Sequence, residues 1–141
     1  MGENKILLFD LETEGLANDS RIVEYYFEDF DTGNQVFHEY VESSIGCPID
    51  NGLTSKFLST HGKSHEEVRN HLNHILAQYK YPTLCCFSSH CDKDLQWLIH
   101  NGINVQKCRY ININKNIQEK GSLETLFQKY IDPNYVQKHT A

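Results

Sequence analysis

The alternation of apolar and polar residues predicts three β-strands in the first third of the chain. The predicted strands cover residues 5–12, 21–31 and 35–41. The first holds four apolar residues in a row, which is typical of a buried strand. The second is rich in β-forming residues, with Val23, Tyr25 and Phe27 predicted on one face. Because only a short turn at residues 32–34 separates the second and third, we predict an antiparallel start to the sheet.

Helical periodicity begins after the third strand. A short helix is predicted over residues 53–58. Ser64 and Glu67 have the spacing of a capping box, and an apolar stripe of helical period follows them. Pro82 ends this longer helix, and the apolar residues 83–87 predict a short buried strand.

The last part of the chain predicts two more helices and a strand. Asp92 is predicted to cap a helix that ends at Gly102. The buried face of this helix is predicted to contain Leu95, Leu98 and Ile99. A strand is predicted within residues 103–111, and Ser122 is predicted to cap the last helix. Counted without the short helix at residues 53–58, the order β-β-β-α-β-α-β-α favours an α/β fold, in which helices flank a mixed sheet.

Composition is that of an ordinary globular domain and limits the partners. The 141 residues are 39% hydrophobic and 23% charged, which suits one domain. The net charge of −6 argues against a protein that coats nucleic acid by charge alone. Five cysteines without a Cys-x-x-Cys pair favour reduced thiols, and therefore a cytoplasmic or other reducing compartment. No apolar run approaches the roughly 20 residues of a membrane helix, so we expect no membrane partner.

Two carboxylates, Asp10 and Glu12, stand at the end of the first predicted strand. The period-2 geometry of a strand places both on one face, roughly 6–7 Å apart. One interpretation is a solvated strand end, and the other is a site for a divalent cation. Oxygen ligands on a rigid strand suit Mg²⁺ or Mn²⁺, and two such ions suit phosphodiester cleavage.

Residues 10–16, DLETEGL, resemble the first motif of the DnaQ-like 3′–5′ exonucleases of the DEDDh type, Asp-x-Glu-Thr-x-Gly-Leu. Asp94, followed by Trp97 and Leu98, resembles the second motif of that family. The form at residues 91–95, CDKDL, is similar to the RNA-trimming branch, which usually has an aromatic residue at the position of Lys93. The matched region therefore extends well beyond one short motif.

The end of the chain resembles the start of the third motif, His-x-Ala-x-x-Asp. His139 and Ala141 fit its first part, and the final Asp would fall beyond residue 141. Without the family, His139 is an ordinary terminal histidine. We expect one exonuclease-like domain over residues 1–141 that is truncated at its C-terminus.

The resemblance implies an RNase H-like fold and a metal-dependent 3′–5′ exonuclease. The implied substrate is a single-stranded 3′ end, with RNA favoured over DNA. The implied ligands of two Mg²⁺ or Mn²⁺ ions are Asp10, Glu12 and Asp94. His139 would take the proton of the attacking water. The implied contacts to the terminal nucleotide are made by Thr13, Gly15 and Leu16.

Two alternatives stay open from the sequence. The chain is a weak or inactive relative that binds nucleic acid or another partner on the same scaffold, or it is an RNase H-type endonuclease. The second alternative predicts internal cuts in an RNA–DNA hybrid, whereas an exonuclease shortens a strand stepwise from its 3′ end.

Overall fold

The computed structural model describes residues 5–49, 51–86 and 91–112. Within these ranges five strands and three helices follow one another in the order β-β-β-α-α-β-α-β. The strands are β1 (Ile6–Thr13), β2 (Ile22–Asp29), β3 (Gln35–Tyr40), β4 (Thr83–Cys86) and β5 (Tyr110–Asn112). The helices are α1 (Ser55–His61), α2 (His65–Gln78) and α3 (Cys91–His100). The predicted helix after Ser122 lies outside the described residues.

The five strands form one mixed sheet in the order β3-β2-β1-β4-β5. β1 pairs antiparallel with β2, and β2 pairs antiparallel with β3. β1 pairs parallel with β4, and β4 pairs parallel with β5. The predicted antiparallel start and mixed sheet are therefore confirmed. Because β1 and β4 are parallel neighbours, the residues that follow them emerge at the same edge of the sheet.

One face of the sheet forms the main core with α2 and α3. Phe9 of β1 and Phe27 of β2 stack with their ring centroids 5.4 Å apart. Leu72 of α2 and Leu98 of α3 are fully buried against this face. Ser64 caps α2 as predicted, because its side chain accepts the amide hydrogen of Glu67 at 3.1 Å.

Three boundaries differ from the predictions. The short helix α1 spans Ser55–His61 rather than residues 53–58, because Thr54 caps it by accepting the amide hydrogen of Phe57. Asp92 does not precede α3 as a cap, because the helix begins at Cys91. The strand predicted within residues 103–111 is short and late, since β5 begins only at Tyr110.

Two side chains point away from their predicted face. Val23 packs in a small cluster with Leu53 and Leu58, apart from the main core that holds Tyr25 and Phe27. The register of the β1–β2 pairing shifts at the start of β2, and Val23 therefore does not share the face of Tyr25 and Phe27. Ile99 is 49% exposed. Leu98 is fully buried as predicted, and Leu95 is partly buried against the main core. Asp94 and Trp97 are also buried, so the prediction was wrong at Ile99.

Two further predictions from the sequence concern membrane helices and the state of the cysteines. In the described ranges no helix is long and apolar enough to cross a membrane. None of the four cysteines with described side chains forms a disulfide bond. These four are Cys47, Cys85, Cys86 and Cys108.

Candidate active site

A cavity of about 310 Å³ lies where β1 ends, and both predicted acidic motifs line it. Asp10 and Glu12 reach it from β1, and Asp94 reaches it from α3. The parallel pairing of β1 with β4 explains this meeting, because α3 follows β4 along the chain. The predicted nucleotide contacts that line the same cavity are Thr13, Gly15 and Leu16. The other lining residues are Leu11, Cys47, Pro48, Ile49 and Trp97.

Asp94 is buried, and its carboxylate is held by a hydrogen bond. Its side chain is 4% exposed, and its Oδ2 accepts a hydrogen bond from the Cys86 thiol at 3.0 Å. Cys86 is the last residue of β4, so the strand that precedes α3 contacts the carboxylate directly. Trp97 and Leu98 bury the adjacent face of the helix. The packing of α3 therefore fixes the direction of the Asp94 carboxylate.

Burial and mutual repulsion disturb the two carboxylates of β1. Burial raises the pKa of Asp10 to about 8, and the negative charges of Glu12 and Asp94 add to the rise. The amide hydrogen of Leu11, 3.0 Å from Asp10 Oδ1, acts in the opposite direction. Burial also raises the pKa of Glu12, followed by repulsion from Glu24 and Asp94. Such concentrated negative potential is what a divalent cation would relieve.

Glu24 is a fourth acid near the cavity that sequence reasoning missed. It lies directly opposite Glu12 in the β1–β2 pairing and is 7% exposed. Its Oε2 lies 2.7 Å from Nε2 of His38 on β3. The alternation within β2 could have indicated this position, but only with the register between β1 and β2, which no turn signal in the sequence fixes.

The rim of the cavity is apolar, in contrast to its floor. Leu16 is 65% exposed and Ile49 is 58% exposed, and both border the cavity. The Thr13 hydroxyl donates a hydrogen bond to the carbonyl oxygen of Gly15 at 2.5 Å, which tightens the turn that leads to Leu16. A charged floor beside an apolar rim suits a nucleotide, whose phosphate and base need these two environments.

The donor set of the cavity fits a hard divalent cation. Asp10, Glu12 and Asp94 offer carboxylate oxygens, which Mg²⁺ and Mn²⁺ prefer. Over residues 5–49, 51–86 and 91–112, however, no three His, Cys, Asp or Glu side chains already have the geometry to hold a metal ion.

Glu14, which belongs to the first predicted motif, does not line this cavity. His139, the predicted base, lies outside the described residues. Glu14 accepts a hydrogen bond from the Ser43 hydroxyl at 2.5 Å and lines a separate cavity of about 550 Å³. Arg21 also lines that second cavity.

The sheet order, the flanking helices and the position of the acidic cavity define an RNase H-like fold of the exonuclease type. The structure is similar to E. coli exonuclease I in complex with a 5cy-dA13 oligonucleotide, with a TM-score of 0.55 and 11% identity. It is also similar to the metal-free form of the E. coli exonuclease I complex with single-stranded DNA, with a TM-score of 0.61 and 12% identity. The zinc-bound form of that complex gives a TM-score of 0.60 at 12% identity.

These similarities cover 82% of this chain and 29% of each exonuclease I chain. The chain thus spans less than a third of the length of those proteins. At such low sequence identity the likeness shows the shared fold. No protein-family model matches the chain, and no curated protein matches it.

Proposed function

We propose that this chain is a metal-dependent 3′–5′ exonuclease domain that acts on single-stranded nucleic acid. The observation that carries the proposal is the meeting of Asp10, Glu12 and Asp94 in one cavity at the end of a central strand. Three carboxylates from two distant parts of the chain share this cavity at a cost in repulsion, which a structural role alone does not require. The fold supports the same interpretation.

The proposed roles come from the predicted motifs. Asp10, Glu12 and Asp94 would hold Mg²⁺ or Mn²⁺, which would supply a water molecule of lowered pKa and charge neutralisation at the leaving oxygen. His139 accepts the proton of that water, which suits an imidazole with an ordinary pKa of about 6.5.

The nucleotide is placed by the turn after β1. In the proposed complex, backbone groups of Thr13 and Gly15 hold the terminal nucleotide, and Leu16 packs against its base. The exposed side chain of Leu16 at the cavity rim supports this assignment, because an apolar group that contacts a base gains from leaving water.

The test is hydrolysis of short 5′-labelled RNA and DNA oligonucleotides with Mg²⁺, Mn²⁺ or a chelator. The proposal expects stepwise shortening from the 3′ end, lost on chelation and reduced at least about a thousandfold by Asp10→Asn or Asp94→Asn. Glu66→Gln is the matched control, because it removes an exposed carboxylate from α2, far from β1. Equal activity in Asp10→Asn and Glu66→Gln would refute the proposed site.

The second candidate is a nucleic-acid-binding or interaction module that cleaves weakly or not at all. The observation in its favour is that the carboxylates of the described residues have no ready three-ligand geometry. Binding of the oligonucleotide without turnover in either metal would support this candidate. Internal cuts in an RNA–DNA hybrid would support an endonuclease instead.

A further inference from the structure

Helix α3 holds the loop between β1 and β2 through three side chains. Lys93, Trp97 and Asn101 are spaced four residues apart, which places them along one side of the helix and its C-terminal end. Each donates a hydrogen bond to a backbone carbonyl of the loop formed by residues 14–21. The three bonds are Lys93 Nζ to Leu16 O at 2.5 Å, Trp97 Nε1 to Ala17 O at 2.6 Å and Asn101 Nδ2 to Ser20 O at 3.0 Å.

The Asn101 side chain both accepts and donates hydrogen bonds at the end of this loop. Its Oδ1 accepts the amide hydrogen of Ile22, the first residue of β2, at 3.2 Å. Its Nδ2 also donates to the carbonyl of Trp97 at 2.8 Å, and the side chain is 6% exposed. Because the amide both donates and accepts, its orientation is fixed by its partners. The start of β2 is therefore tied to the end of α3.

The same helix and the same loop both line the acidic cavity. α3 contributes Asp94 to it, and the loop contributes Gly15 and Leu16. Within the loop, the Ser20 amide bonds to the Ala17 carbonyl at 3.0 Å, the carbonyl that Trp97 also contacts. The distance between the apolar rim at Leu16 and the carboxylate of Asp94 thus depends on the bonds from α3.

We propose that Lys93, Trp97 and Asn101 are positioning residues that fix the β1–β2 loop against α3. Of the three hydrogen bonds, the one from Lys93 is the one that can open and close. Trp97 and Asn101 are buried, whereas Lys93 is partly exposed. This inference rests on the proposed function for its effect on substrate. The bond from Lys93 ends on Leu16, the residue proposed to contact the terminal base. Its loss should weaken ground-state and transition-state binding equally.

The kinetic test compares Lys93→Met with Lys93→Arg. Methionine keeps an apolar stem without the donor, whereas arginine keeps a donor. For Lys93→Met we expect KM for a short oligonucleotide to rise about fivefold, the effect of losing one hydrogen bond of ordinary strength at a partly exposed position, with kcat unchanged within about twofold. Lys93→Arg should restore most of the loss. Lys56→Met, which removes an exposed lysine from α1, is the control.

A second measurement does not depend on activity. Amide hydrogen exchange at residues 15–20 should become faster in Lys93→Met than in the wild type and in Lys56→Met. Asn101→Asp keeps the acceptor for the Ile22 amide but loses the donor to the Ser20 carbonyl. It should therefore speed exchange in the loop while the Ile22 amide stays protected.

The outcomes separate this inference from the proposed function. A wild-type chain without nuclease activity would refute the function, and faster exchange in Lys93→Met would still support the positioning role. Unchanged exchange in Lys93→Met would overturn the positioning role. A raised KM with unchanged exchange would overturn it too, since Lys93 would then contact the substrate itself.

Discussion

β1 and β2 bury apolar side chains on one face and polar side chains on the other. The apolar face consists of Leu7, Phe9, Leu11, Tyr25 and Phe27. The polar face consists of Asp10, Glu12, Glu24, Tyr26 and Glu28. The apolar face packs against α2 and α3 in the main core. Three members of the polar face, Glu24, Tyr26 and Glu28, are also less than a tenth exposed.

The polar face is held by hydrogen bonds between its members and their neighbours. The Tyr26 hydroxyl donates to Glu28 at 3.1 Å, and His38 contacts Glu24 at 2.7 Å. Such pairs offset the cost of burial but contribute little net stability. The comparison indicates that the apolar face stabilises the fold, whereas the polar face carries a repulsion between buried carboxylates. Substitutions on the two faces test this division when the free energy of unfolding is measured without added metal.

The largest effect is expected on the apolar face. Leu72→Ala removes a fully buried side chain of α2 that packs on this face. It should lower the free energy of unfolding by about 3 kcal/mol, from lost burial and the cavity left behind. Urea denaturation measures the loss, with Gln78→Ala on the exposed side of α2 as control. A loss below about 1 kcal/mol would mean that α2 does not anchor the apolar face.

On the polar face we expect a substitution to raise the free energy of unfolding rather than lower it. Burial raises the pKa of Asp10 from its ordinary value of 3.8 to about 8, so the folded chain binds this proton more tightly than the unfolded chain. Stability should therefore fall as the pH rises from about 4 to about 8. Asp10→Asn cannot ionise and should be more stable than the wild type by about 2 kcal/mol or more at pH 8.

Urea denaturation at pH 5 and pH 8 measures this difference, and the exposed Asp19→Asn is the matched control. The gain of Asp10→Asn over the wild type should grow between the two pH values. A gain that does not change with pH would contradict the raised pKa, and a loss of stability would contradict the division between the faces.

A smaller loss is expected from the hydrogen bond within the polar face. Tyr26→Phe removes the hydroxyl that donates to Glu28, and should cost about 1 kcal/mol. Tyr79→Phe, in a partly buried tyrosine beside the main core, is the control for loss of a hydroxyl. If both substitutions have the same effect, the bond to Glu28 adds no stability of its own.

The smallest effect is expected at Ile99. Although the apolar pattern predicted it to be buried, it is 49% exposed. Ile99→Ala should change the free energy of unfolding by no more than about 0.5 kcal/mol, whereas Leu98→Ala next to it should cost about 3 kcal/mol. Thermal denaturation of the two variants, side by side, measures the contrast. Similar losses would show that the pattern had placed Ile99 correctly.

Local patterns predicted the strands and α2, but not every partner in the site. The alternation in β1 placed Asp10 and Glu12 on one face, and the capping box placed the start of α2. Glu24 was missed because its position depends on pairing across β1 and β2, which period-2 patterns do not specify. Asn101 was missed because a buried amide that bonds to a distant loop has no local signal in the sequence.

The pairing of β1 with both a near and a distant strand has a consequence for how the chain folds. β1 pairs with β2 across one short loop, but it pairs with β4 through Ile6 and Thr83, 77 positions apart (83 − 6). Contacts so distant in sequence carry a larger loop-closure cost and slow folding. We expect the antiparallel strands to associate early and β4 with α3 to dock late. Asp94 joins Asp10 and Glu12 only with that last step, so a partly folded chain would hold only part of the acidic cluster.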